Sequence, residues 1–364
     1  MYLYEIELDE GAVESFDVNY DSWNGSGRRK ITVPPEYDGV HIIGKGRGKT
    51  IVQPGYDATF MFGTDVGHVK ISGCTLLTSR RYTIKIGESG EFNSKLTLDL
   101  HKVAFIEGQH RASWGISSTN ADMHFIDVDV DLPGIREHFL YAHGVSKYGI
   151  YWKRVDIQGV AAEALKVCTR AFEAEFVAGA QLIVEQCQFR NWFTPSSQRG
   201  GVAIALQGCG LSGVWIKRTL FWGAPGSNTR SHCIGISDGL STIRNAANNQ
   251  QRYYDINGVP GGPGATCGTV DITDCGFMGY GTRNLVSTQT LFPGYEDELG
   301  IPYHPIVTSF RMKNCGAYGT AGINLKHVET APVISGMNNP RTEVFLESVG
   351  FDTSVSSPVR FLTV

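Results

Sequence analysis

The chain of 364 residues has no apolar run of the ~18 residues that a membrane-spanning helix needs. Its opening, MYLYEIELDEGAVESF, lacks a basic stretch followed by an apolar core, so no secretion signal is visible. Charged residues are few, at 19%, and nearly balanced, for a net charge of −4. A general nucleic-acid binder would carry a strongly basic face. Neither a nucleic acid nor a membrane is therefore expected as a partner. The eight cysteines contain no CxxC and no metal-like spacing. They read as small buried hydrophobes of a protein folded in a reducing cytoplasm. No long segment has a 3.6-residue apolar period, which excludes helical solenoids.

What the chain does have is glycine, 44 residues of it, and a short phrase written many times. HVKISGCTL at 68–76 is followed by LDLHKVAF at 98–105, MHFIDVDV at 123–130, IYWKRVDI at 150–157 and LIVEQCQF at 182–189. VWIKRTLF at 214–221, VDITDCGF at 270–277, FRMKNCGA at 310–317 and VFLESVGF at 344–351 complete the set. Each has two apolar residues two apart, then two variable residues, then Cys, Val or Thr, and usually an aromatic or aliphatic residue two further on. Two apolar residues two apart face one side of a strand. A second short strand follows most phrases, for example TIKIG at 83–87, WGISS at 114–118, FLYAHG at 139–144 and ALKVC at 164–168. Repeats of this length mean a solenoid or a propeller, and a propeller blade would need four antiparallel strands. The pattern predicts an all-β parallel β-helix of about ten coils, in which equivalent residues stack as ladders ~4.8 Å apart.

The entry segment ITVPPEYDGVHIIGKG at 31–46, continuing as GVHIIGKGRGKTIVQPG at 39–55, resembles the opening coil of the pectate-lyase-like right-handed β-helix superfamily. The resemblance covers roughly residues 31–352. It implies a right-handed β-helix domain over 31–364, with residues 1–30 as an N-terminal cap in which DEGAVESFDV would be helical. Tailspike-like members of such a family imply a homotrimer and a virion or extracellular location. Their substrate class, a polysaccharide on a bacterial surface, is the expected ligand, to be bound and cleaved by a hydrolase or a lyase. A non-catalytic structural or receptor-binding virion protein of the same fold is the alternative. No Asp-Asp pair and no Gly-His-Gly occur, and the lyase motif WIDH is missing, so the family's better-known chemistries have no signature here. GKGRGKT at 44–50 lacks the spacing of a phosphate loop and reads as a turn.

The repeat alignment places two outward ladders on the first strand. One runs Lys70, Asp99, His124, Tyr151, Ile183, Trp215, Asp271, Arg311, Phe345. The other runs Ser72, His101, Ile126, Lys153, Glu185, Lys217, Thr273, Lys313, Glu347. Lys153, Glu185 and Lys217 would stack as alternating charges. The apolar members of the first ladder suggest a covered face and so an oligomer. The second-strand wall gathers Arg111, His138, Tyr141, His143, Glu163 and Lys166, followed by Glu173 and Glu175. A hydrolase needs two carboxyl groups, which Glu163 with Glu173 or Glu175, or Asp238, would supply. A uronate lyase needs a base and a cation, which His143 or Lys166 with Arg111 would supply. Insertions at 190–201, 222–268 and 280–305 contribute Trp192, Arg199, Trp222 and Arg230 as candidate sugar contacts beside Arg111 and Tyr141. No cofactor or metal is expected, although the acids of PGYEDELG at 293–300 would suit Ca²⁺.

Overall fold

A computed structural model of the chain describes residues 2–14, 33–34, 36–53, 58–62, 66–86, 96–108, 114–119, 121–143, 149–158, 163–168, 180–190, 202–207, 211–222, 232–237, 267–278, 286–289, 307–318, 323–326, 343–351 and 359–362. Strands pair in parallel with their equivalents one coil before and one coil after. They form a 16-stranded and a 10-stranded sheet. This is the parallel β-helix expected from the repeat.

The 10-stranded sheet, wall 1, includes Tyr82–Ile86, Trp114–Thr119, His138–His143, Glu163–Cys168, Val202–Gln207 and His232–Ser237. The repeat pattern anticipates all of these. It misses Val286–Gln289, which lies inside a supposed insertion. Its sequence, VSTQ, has a single apolar residue and so no readable alternation. The 16-stranded sheet carries the repeated phrase and consists of two walls joined at a corner. His68–Leu77 and Thr97–Ile106 are examples that run through both.

The corner explains the two variable residues in the phrase. Lys102, Asp127, Arg154, Gln186, Arg218, Asp274, Asn314 and Ser348 all have φ between 48° and 57°, and Gly73 has φ of 64°. Each is the residue just before the Cys, Val or Thr position. A left-handed residue re-aims the strand and resets its alternation. Val69 and Ile71 point inward before Gly73, and Cys74 and Leu76 point inward after it. Wall 2 is the half before the corner, and wall 3 the half after it.

Inward ladders of like residues make the core. Ile71, Leu100, Phe125, Trp152, Val184, Ile216, Ile272 and Met312 are register partners in succession, and all are buried. On wall 3, Phe189, Phe221 and Phe277 stack face to face, with centroids 5.0 Å apart at each step. Cys74, Cys187, Cys233, Cys275 and Cys315 are buried thiols. Burial pushes the thiols of Cys74 and Cys187 up to about 12.

The N-terminal segment departs from expectation. Leu3–Glu7 pairs with Gly39–Ile43, and Gly11–Glu14 pairs with Thr50–Gln53, both in parallel. Part of the supposed helix in DEGAVESFDV is thus a strand. The Thr50–Gln53 edge offers backbone groups that a strand satisfies and a helix would leave open. The remainder of the supposed cap, 15–30, lies outside the described residues.

Candidate functional site

On the outer face of wall 1, Met61, Lys85, Ser117, Tyr141 and Lys166 are register partners on successive coils. Tyr82, Trp114 and His138 form a parallel ladder three residues back. Tyr82 and Trp114 stack with centroids 5.0 Å apart at 14°. The Lys85 ammonium is buried beside them, 5.4 Å from the Tyr82 ring centroid, and donates to Ser117 Oγ at 3.2 Å. His138 packs against Tyr141 at 5.0 Å, and Lys166 Nζ stands 5.5 Å from the centroid of the same Tyr141 ring. The wall therefore sets aromatic rings beside positive charge, with Trp114, Tyr141 and Lys166 half-buried and Tyr82, Lys85, Ser117 and His138 buried. Aromatic faces pack on apolar sugar faces, and ammonium groups neutralise carboxylates.

Sequence reasoning places Tyr141 and Lys166 together, and the structure does so. It places His138 on the exposed wall, whereas the imidazole is buried, 3.9 Å from Glu137. Lys85, Ser117, Tyr82 and Trp114 were legible as the same ladder, because RYTIKIG and WGISS repeat the three-residue spacing of His138 and Tyr141. Trp222 is a correction. It ends a wall 3 strand, Leu220–Trp222, paired with Gln188–Arg190 and Gly276–Met278, and is 47% exposed there. Its Leu-Phe-Trp run continues the repeated phrase, so it belongs to a strand rather than to a loop over wall 1. Glu163 and His143 lie on wall 1 strands, Glu163 opposite His138 and His143 opposite Cys168. Arg111, Glu173, Glu175, Trp192, Arg199, Arg230 and Asp238 lie outside the described residues, as does PGYEDELG at 293–300.

Wall 2 holds a second cluster. Asp99 Oδ2 is 2.6 Å from His68 Nε2, and Asp99 Oδ1 is 3.0 Å from His124 Nδ1. Burial alone would push the Asp99 carboxyl up, but the two imidazoles outweigh it and hold it well below the usual carboxylate range. His124 is raised in turn, first by its hydrogen bond to Asp99. Tyr151 follows His124 in register. At the corner, Arg154 meets Asp127 with Nε–Oδ1 2.5 Å and Nη2–Oδ2 3.0 Å, and lowers that carboxyl. Lys153 Nζ is 3.9 Å from Glu185, as expected, but it is Arg218 from the corner that meets Glu185 from the far side. Among the described residues, no group of three or more His, Cys, Asp or Glu could hold a metal ion. None of their helices is long and apolar enough to cross a membrane.

No family model matches the chain. No curated protein matches it either. Among solved structures, the chain is similar to a mutant of the periplasmic alginate epimerase AlgG. The identity is 10% over 96% of this chain and 85% of that one, with a TM-score of 0.30.

Proposed function

We propose that the protein binds an acidic polysaccharide along wall 1 and cleaves it by β-elimination. The observation that carries this reading is Lys166 fixed over the Tyr141 ring, on the wall that also carries the Tyr82–Trp114 stack two coils away. In such a reaction a base takes the proton at C5 of a uronate, while Lys166 balances the charge that develops on the sugar carboxylate. The electron pair left behind forms the C4–C5 double bond and expels the C4 oxygen. That oxygen takes a proton from the Tyr141 hydroxyl. His143, two positions beyond Tyr141 on the same strand, is the base in this reading. Arg111 would add positive charge, while Trp192, Arg199 and Arg230 would add sugar contacts from the insertions.

The hydrolytic alternative needs Glu163 with Glu173 or Glu175, or Asp238, as an acid and base pair. One experiment separates the two. The full chain is incubated with polyuronates, and both the absorbance of unsaturated uronate and the release of reducing ends are followed. Elimination raises both signals, and hydrolysis raises only the second. Under elimination, Lys166→Ala and Tyr141→Phe should each lower the absorbance rate by at least ~10²-fold, the scale of lost acid–base catalysis. Reducing ends without absorbance, or full activity in both variants, would reject the assignment.

A trimeric, tailspike-like receptor-binding protein of a virion is a second reading. It is favoured by Phe345, which is 47% exposed on the outward ladder of the Glu343–Phe351 strand. Sedimentation of the wild type and of Phe345→Ser would test whether that rung joins copies of the chain.

A further inference from the structure

Trp215 lies on the outward ladder of wall 2, between Ile183 and Asp271. Two residues back on the same face of its strand is Gly213. A Cβ built on Gly213 would fall 2.2 Å from Cη2 of the indole, 2.6 Å from Cζ3 and 2.7 Å from Cζ2. The flanking carbons are nearly equidistant and only slightly farther than the central one. The Cβ direction therefore meets the ring on its face and not on its edge. The indole lies flat along its own strand, on the glycine, with its other face turned outward. Ile183 and Tyr151 continue the ladder over the two preceding coils, one step of ~4.8 Å each. The flank of these three coils carries Lys153, Arg154, Lys217 and Arg218 against two carboxylates, Glu185, which Arg218 and Lys153 hold, and Asp127 of the preceding coil, which Arg154 holds.

We propose that this stripe of wall 2 is a second glycan-binding surface, separate from wall 1, for an anionic polysaccharide laid along the solenoid axis. A flat indole presents its π face to the C–H face of a sugar ring. Tyr151 and Ile183 extend that contact, and the surplus cations match carboxylate or sulfate groups along the chain. The stripe is one side chain wide and has charge along its flank, so it lacks the broad apolar centre of a subunit interface. A single-stranded nucleic acid would call for several stacking rings in a row, and the stripe supplies one flat indole. The ligand class follows from the stripe's own chemistry and does not depend on the reading of wall 1.

The test is affinity electrophoresis of the full chain through gels containing polygalacturonate, hyaluronan, dextran sulfate or neutral dextran. Wild type and a Tyr141→Ala/Lys166→Ala double variant are run with and without Trp215→Ala. Gly213→Ala, which keeps the ring but lifts it off the strand, is the second probe, and thermal unfolding checks the fold of each variant. At least one anionic glycan should retard the wild type and the double variant, with neutral dextran inert. Trp215→Ala and Gly213→Ala should each weaken binding by about tenfold or more, the scale of a lost aromatic anchor. Retention lost in Trp215→Ala and untouched in the double variant would support the stripe while counting against wall 1. The proposal is overturned if the double variant alone abolishes retention, if no anionic glycan is retained, or if both stripe variants bind as the wild type does. Tighter binding of oligothymidylate than of any glycan, or a drop in sedimenting mass on Trp215→Ala, would overturn it as well.

Discussion

At Asp99 the first outward ladder of wall 2 holds a carboxylate gripped by two imidazoles from the coils on either side. The groups facing it and His124 are His68, Lys70, Asp122 and Tyr151. The two shifts act at opposite ends of the pH scale. His124 is raised, so its contribution to stability is complete below the ordinary imidazole value of ~6.5 and is lost as pH climbs through the folded value. Asp99 is lowered, so its contribution is complete above ~4 and is lost as pH falls toward the folded value. The thermal midpoint of wild type minus that of His124→Gln should therefore shrink between about pH 5 and about pH 9. A difference that stays constant over that range would mean the pair is not coupled to folding. The repeat places Asp99, His124 and Tyr151 on successive coils correctly. It overlooks His68, which stands at the start of its strand, outside both outward positions, and reaches Asp99 across one coil.

The strand phrase was legible because its inward residues must alternate with period two and must repeat from coil to coil. Its corner was not, because the left-handed residue is defined by backbone φ while its side chain stands in solvent. Lysine, arginine, aspartate, asparagine, glutamine, serine and glycine all serve there, so composition gives no signal. Wall 1 was only partly legible for the opposite reason. Its short strands carry outward polar residues whose partners are set by stacking, and stacking is invisible until the coils are aligned. The corner also makes a prediction. Lys102 is exposed, with φ of 54°. A non-glycine residue there costs about 1–2 kcal/mol against the right-handed region. Lys102→Gly should be neutral or should raise stability by up to ~1 kcal/mol, since glycine's own entropic cost offsets part of the relief. Lys102→Val should lose ~1 kcal/mol or more, because a β-branched residue resists positive φ. Urea unfolding of the three proteins would measure both; equal midpoints would mean that the corner does not strain the side chain.

A solenoid is held by contacts between neighbouring coils, so its stability is close to a sum of local interfaces. The Phe189–Phe221–Phe277 stack spans three coils in the middle of the chain. Phe221→Ala should cost ~3–5 kcal/mol, the scale for a large aromatic truncated in a packed core. The loss should be felt locally first. Hydrogen exchange should speed up at Leu211–Lys217 and Cys267–Thr273 before it does at His68–Leu77, which lies several coils away. Uniform acceleration along the whole chain would instead mean that the coils unfold as one unit.

Where walls 2 and 3 meet, the passage takes one left-handed residue on every coil from Gly73 to Ser348. The connections on either side of wall 1 range from the two residues 120–121 to the stretch 238–266. An added residue at the first seam would turn every following side chain inside out, whereas one added beside wall 1 displaces only a loop. The molecule is thus a ladder with one welded rail and two open ones. Length can be gained or lost, and foreign segments spliced in, along the open rails alone, and both of them border the face where a polysaccharide would lie.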